Sequence, residues 1–176
     1  MKGILDQKLL KKFLKTAGET LSGEWVLIGG TVLPALEQDI RVTLDIDLIA
    51  LDDAAPAQTI KLMEIAEALG LPVETINQAG SYYFRKLRGS REHLVLLIQG
   101  KHATIYRPDV TLFLRLKIPR LTEADLTDCL AFLKVARNLE EPLEKKEIKK
   151  LLESELKADP APGRKERLNA LFRAIR

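Results

Sequence analysis

Trp25-Val26-Leu27-Ile28-Gly29-Gly30-Thr31 and Leu44-Asp45-Ile46-Asp47-Leu48-Ile49-Ala50-Leu51 are the two stretches whose reading decides the fold. The first opens on a continuous apolar run rich in strand formers, as a strand covered on both faces requires. Gly29-Gly30-Thr31 then turns the chain into a short helix reaching about Gln38, with Pro34 near its first turn, where a missing N–H costs least. The second stretch begins by alternating, so Leu44, Ile46, Leu48 and Ala50 share one face of a strand while Asp45 and Asp47 share the other. Two carboxylates at i and i+2 of a strand stand on one side with Cα atoms roughly 6.5 Å apart, close enough to ligate one hard cation or help hold two. A metal pair of that kind clamps an in-line phosphoryl displacement by neutralising the attacking and leaving oxygens. The Gly-Gly turn is complementary, because residues without side chains let backbone N–H groups approach a triphosphate. Taken singly, each half has a plainer reading: a tight turn for the glycines, a solvent-facing pair for the acids.

Around this centre the 176 residues read as one compact domain with a core of ordinary size. With 46% hydrophobic and 30% charged residues, disordered and fibrous classes are excluded. The 28 Lys and Arg against 25 Asp and Glu leave a net charge of +3, too near balance for nucleic-acid binding by bulk field, so any basic patch must be local. A lone cysteine, Cys129, excludes a disulfide framework and a cysteine-based zinc cluster, and fits a reducing cytoplasm. The N-terminal residues form a charged amphipathic stretch in place of an apolar leader, and no apolar run reaches membrane-spanning length, so a cytoplasmic, non-membrane protein is expected.

The periodicity places a helix over Leu5 to Leu21 before the first strand and a crossover helix over Pro56 to Leu69, where Ile60, Met63, Ile65, Ala66 and Leu69 supply the apolar positions. Short strands are expected near Val73–Ile76, Ser81–Leu87, His93–Gln99 and Ala103–Tyr106, with Arg88-Gly89-Ser90 as a hairpin turn. From Asp109 the pattern becomes leucine-rich and helical over Val110–Ile118, Glu123–Asn138, Leu143–Leu156 and Arg164–Ile175. The expectation is an α/β (α+β) chain: a small mixed sheet with flanking helices over 1–108, and a helical part over 109–176 packed on it as one compact unit.

Leu27-Ile28-Gly29-Gly30-Thr31 followed by Arg41-x-Thr43-x-Asp45-Ile46-Asp47-Leu48 resembles the signature of the nucleotidyltransferase-fold superfamily, in particular the AbiEii-like toxins of bacterial abortive-infection and type IV toxin–antitoxin systems. The resemblance implies that Gly29, Gly30 and Thr31 hold nucleotide phosphates, that Asp45 and Asp47 bind Mg2+ or Mn2+, and that Arg41 meets developing negative charge. A second block, Leu114-Arg115-Leu116-Lys117-Ile118-Pro119-Arg120 and then Asp125-Leu126-Thr127-Asp128, is similar to a later family motif, which implies phosphate contacts for Lys117 and Arg120 and a place at the site's edge for Asp125 and Asp128. The implied activity is metal-dependent transfer of a nucleotidyl group from an NTP to a hydroxyl on RNA or protein, with an antitoxin-like protein as a partner. Active members of the superfamily carry a third carboxylate on a strand beside the Asp-x-Asp strand. The strand expected there, His93–Gln99, has no acid, and Glu74, Glu92 and Asp109 are the nearest substitutes. The alternative is a catalytically degenerate member, kept as a nucleotide-binding or protein-interaction module.

Other residues have structural readings beside functional ones. Thr122-Glu123-Ala124-Asp125 also reads as a helix cap, Arg41 also as a partner that neutralises the acid pair, and Lys117 also as a solvated lysine. Tyr82-Tyr83-Phe84-Arg85-Lys86-Leu87-Arg88 with Arg91 combines aromatics that stack on bases with cations that contact a nucleic-acid backbone such as RNA, against an ordinary half-buried hairpin. His93 and His102 lack metal-ligand spacing, and Cys129 reads as a small core residue. The charge runs Glu140–Lys150 and Arg164–Arg167 read as solvated helix faces.

Overall fold

The computed structural model of the chain describes residues 5–38, 45–52 and 55–175. Contacts divide the chain into two compact units, Met1–Pro108 and Asp109–Arg176. The first is built on a four-stranded mixed sheet in the order β2-β1-β4-β3. Strand β1 (Gly23–Ile28) runs antiparallel to β2 (Asp47–Ala50) and parallel to β4 (Ala103–Pro108), while β3 (Leu94–Gln99) is antiparallel to β4. As an inner strand β1 buries Trp25, Val26, Leu27 and Ile28 in succession, the both-faces burial its apolar run predicts. Helix α1 (Gln7–Thr20) starts on the Asp6 side chain, which accepts a hydrogen bond from the Leu9 N–H at 2.7 Å. It buries Leu10, Phe13, Leu14 and Ala17 and packs against β4 and β3. Leu10, Phe13 and Leu14 each contribute about 1.5–3 kcal/mol through apolar area removed from water.

After β1 a single 3-10 turn (Gly29–Thr31) leads into the short α2 (Val32–Ala35). Helix α3 (Pro56–Ala68) turns Leu62, Ile65 and Ala66 inward and leaves Ile60 and Met63 exposed, so the buried face is offset from the one expected. Val73–Thr75 is a 3-10 turn and not a strand; only Ile76, bridged in parallel to Ile46, continues sheet-like pairing. Ser81–Leu87 is likewise not a strand: Gly80–Lys86 forms helix α4, which buries Phe84 and makes no pairing. Its approach is set by Asn77, whose side-chain oxygen accepts from the Ala79 N–H at 3.0 Å, a local turn that feeds the chain into helical geometry. Gly89 has the left-handed backbone a turn demands, yet it leads into a 3-10 turn at Ser90–His93, and the hairpin is instead the one joining β3 to β4 at Gly100 to His102.

Strand β3 also differs from expectation in position. It lies at the opposite edge of the sheet from β2, because β1 pairs with β4 and the β3–β4 hairpin adds on the far side. The neighbours of β2 are β1 and, beyond its other edge, Ile76.

The second unit is helical: α5 (Val110–Lys117), α6 (Glu123–Asn138), α7 (Lys145–Lys157) and α8 (Pro162–Ala174). Phe113 meets Phe132 edge-on with ring centroids 4.8 Å apart, and Leu112, Leu114, Ile148, Leu152, Leu168 and Leu171 are buried with them. Arg164 and Arg167 are half-buried and not spread on a solvated face. Arg164 donates to the Pro119 carbonyl at 2.9 Å and Arg167 to the Leu121 carbonyl at 2.7 Å, tying α8 to the loop before α6. Among the described residues, no helix is long and apolar enough to cross a membrane.

Candidate functional site

The corner where β1 ends and β2 begins is fixed by register: Ile28 pairs with Asp47. Gly29 follows Ile28 with φ +74°, in the left-handed region. A Cβ built on Gly29 would lie 2.0 Å from Oδ2 of Asp47, so the carboxylate rests directly on the glycine backbone. No other residue type fits there without moving the acid.

Ile46 and Leu48 are fully buried, but β2 is shorter than the stretch expected from Leu44: it begins at Asp47, and Asp45 precedes it outside the strand. Asp45 is exposed and Asp47 half-buried, whereas Ile49, on the same face of β2 as Asp47, is buried. Asp47 therefore occupies the margin of that face. Thr31 is fully buried, and its hydroxyl donates to the Ile28 carbonyl at 3.2 Å, closing the turn. Gly30 is half-buried on the same turn. The corner thus joins Gly29, Gly30, Thr31 and Asp47, with Asp45 two residues earlier in the chain and exposed. Arg41, Thr43 and Leu44 lie outside the described residues.

Two further features of the corner had no signal in the motif. A Cβ on Gly80 would fall 2.5 Å from Cδ1 of Ile28, so the start of α4 is pressed against the last residue of β1. The Gln78 amide donates to the Leu48 carbonyl at 3.5 Å while its oxygen accepts from the Thr59 hydroxyl at 3.3 Å, linking β2 to α3.

Of the substitutes for a third acid, Glu74 and Glu92 are exposed in 3-10 turns. Asp109 caps α5 by accepting from the Leu112 N–H at 2.8 Å. Among the described residues, no group of three or more His, Cys, Asp or Glu side chains comes together that could hold a metal ion.

The second block forms its own cluster, in the second unit. Lys117 ends α5 buried, not solvated, and its ammonium donates to Asp125 at 2.8 Å and Asp128 at 3.1 Å, both carboxylates being 1% exposed. Arg120 makes a two-pronged contact with Asp125, from Nε and a terminal nitrogen, each at 2.8 Å. Asp125 also completes a capping box with Thr122 at the start of α6. Burial pushes the Asp125 carboxyl up, but the hydrogen bonds from Arg120 and Lys117, together with the Lys117 charge, prevail and hold it well below the usual carboxylate range. Cys129 lies beside this network, fully buried, and burial raises its thiol far above the ordinary value, which makes it an inert core residue.

Set against protein-family models, curated proteins and solved structures, the chain matches none.

Proposed function

We propose that the protein binds an NTP with Mg2+ or Mn2+ at the β1–β2 corner and transfers its nucleotidyl group to a hydroxyl on RNA or protein, as a nucleotidyltransferase-fold enzyme of AbiEii-like type. The observation that carries this reading is the contact between the Asp47 carboxylate and the backbone of Gly29. It joins, at one point, an anionic group suited to a cation and a turn with no side chain to hold a phosphate away.

Carboxylates are hard oxygen ligands of the kind Mg2+ or Mn2+ takes, and Asp47 offers one at the turn with Asp45 two residues before it. Asp45 and Asp47 would hold the cation, which when bound supplies charge neutralisation at the phosphates. Gly29 and Gly30 leave their backbone open to close approach, and Thr31 keeps the turn in shape through its bond to Ile28. The role of Lys117 and Arg120 at phosphate, and that of an antitoxin-like partner, is carried by the sequence resemblance alone.

A second reading, the nucleotide-binding or protein-interaction module without transfer, is favoured by the neighbours of β2. Its outer neighbour is Ile76, and β3 lies at the far edge of the sheet, so neither brings an acid beside Asp45 and Asp47. Incubation with α-phosphate-labelled NTPs, Mg2+ and mixed RNA or protein acceptors separates the two. The transferase gives label on a macromolecule that disappears in Asp47→Asn, whereas metal-dependent binding with no transferred label identifies the module.

A further inference from the structure

We propose that α4 is a stacking platform for a single-stranded polynucleotide. Tyr82 and Tyr83 are 59% and 69% exposed on a seven-residue helix, while Phe84 beside them is buried and anchors it. Their rings meet edge to face with centroids 5.5 Å apart and form one exposed aromatic patch. Lys86 holds its ammonium 4.0 Å from the Tyr82 ring centroid, and Arg85 and Arg88 are exposed close by in sequence. Arg91 is ion-paired with Asp52 and Glu24, yet from Tyr82 to Arg91 there is no acid.

The platform is braced from beneath. Arg85 donates to the Asp52 carbonyl at 3.4 Å, and Gly80 lies against Ile28. Exposed aromatic rings on a fixed support, with Lys86, Arg85 and Arg88 next to them in sequence, satisfy both halves of a nucleotide: the base by stacking, the phosphate by charge. An acidic peptide would use the cations and leave the ring faces idle, so the tyrosines favour the polynucleotide. This binding does not depend on Asp45 or Asp47 and stands apart from the metal–nucleotide reading.

Fluorescence anisotropy with short end-labelled single-stranded oligonucleotides, one RNA and one DNA, tests it on the full chain. Saturable binding to either or both is expected, falling steeply with salt, and binding to RNA alone identifies RNA as the source. Tyr82→Ala/Tyr83→Ala should weaken binding by about tenfold or more, and Tyr82→Phe/Tyr83→Phe, which keeps the ring faces and the fold, should hold it within about twofold. Lys86→Gln should flatten the salt dependence. Asp45→Asn/Asp47→Asn should leave binding unchanged. Absence of saturable binding at low salt overturns the proposal. So does an affinity that the alanine pair does not alter while circular dichroism stays native, or equal competition by polyglutamate, which would mark a plain polyanion patch.

Discussion

Asp47 and Gly29 constrain each other, and the constraint is measurable. Gly29→Ala forces a side chain into a left-handed backbone and onto a carboxylate oxygen 2.0 Å away. It should lower stability by about 1–3 kcal/mol in urea denaturation. Adding Asp47→Ala should recover only part of the loss, because the overlap is relieved while the backbone strain stays. Full recovery, or none, would contradict this division. At the second cluster, Lys117→Met leaves two buried carboxylates with less compensation and should cost about 3 kcal/mol at neutral pH. The folded-state pKa of Asp125 is depressed, so its contribution to stability is complete above the ordinary carboxylate value of about 4 and is lost as the pH falls below it through the lowered folded value. Urea midpoints at pH near neutral and near 3 should therefore separate more for the wild type than for Lys117→Met. The Gly-Gly turn and the strand that Asp47 opens were readable in sequence, although that strand stops short of Asp45. Their contact was not, since it comes from the Ile28–Asp47 register. The burial of Lys117, which excludes the solvated alternative, was hidden for a similar reason: the carboxylates that receive its ammonium come from α6, 8 and 11 residues on.

At the scale of elements, α1 and the β3–β4 turn meet through two glycines. A Cβ on Gly100 would lie 2.2 Å from the Gly18 carbonyl oxygen, and the His102 N–H donates to that same oxygen at 3.1 Å. Gly100→Ala must push helix and hairpin apart, since the obstacle is backbone and cannot rotate away. A loss of about 2 kcal/mol or more, in the range of overpacked sites, is expected from thermal or chemical denaturation. Thr122→Ala should cost about 1 kcal/mol by removing the cap of α6. The helices of the second unit were legible because their caps and leucine periods are local signals, Thr122 and Asp109 among them. Helix α4 was not. Its two tyrosines and a phenylalanine read as strand formers, but only Phe84 is buried, and β propensity has meaning only where a pleated surface receives the side chains. Asn77 was the available sign of the turn into it. The sheet order was equally hidden, since nothing in His93–Gln99 says which edge of the sheet it joins.

At the scale of the whole molecule, the helical unit from Asp109 to Arg176 has an interior of its own, from Phe113 and Phe132 to Leu168 and Leu171. A chain of this size buries only about 60% of its unfolded surface, so it should fold alone but marginally. Expressed by itself, it should show a helical circular dichroism spectrum and a cooperative melt at a temperature below that of the intact protein; a helical signal with no cooperative transition would show that its core is incomplete. The central claim, however, concerns one corner of the first unit, where a cation and a nucleotide are coupled. Calorimetric titration of each Mg-NTP into the wild type and into Asp45→Asn/Asp47→Asn tests it most directly. Saturable, Mg2+-dependent binding by the wild type alone is the predicted result; binding that persists unchanged in the variant, or no binding to either protein, would contradict it.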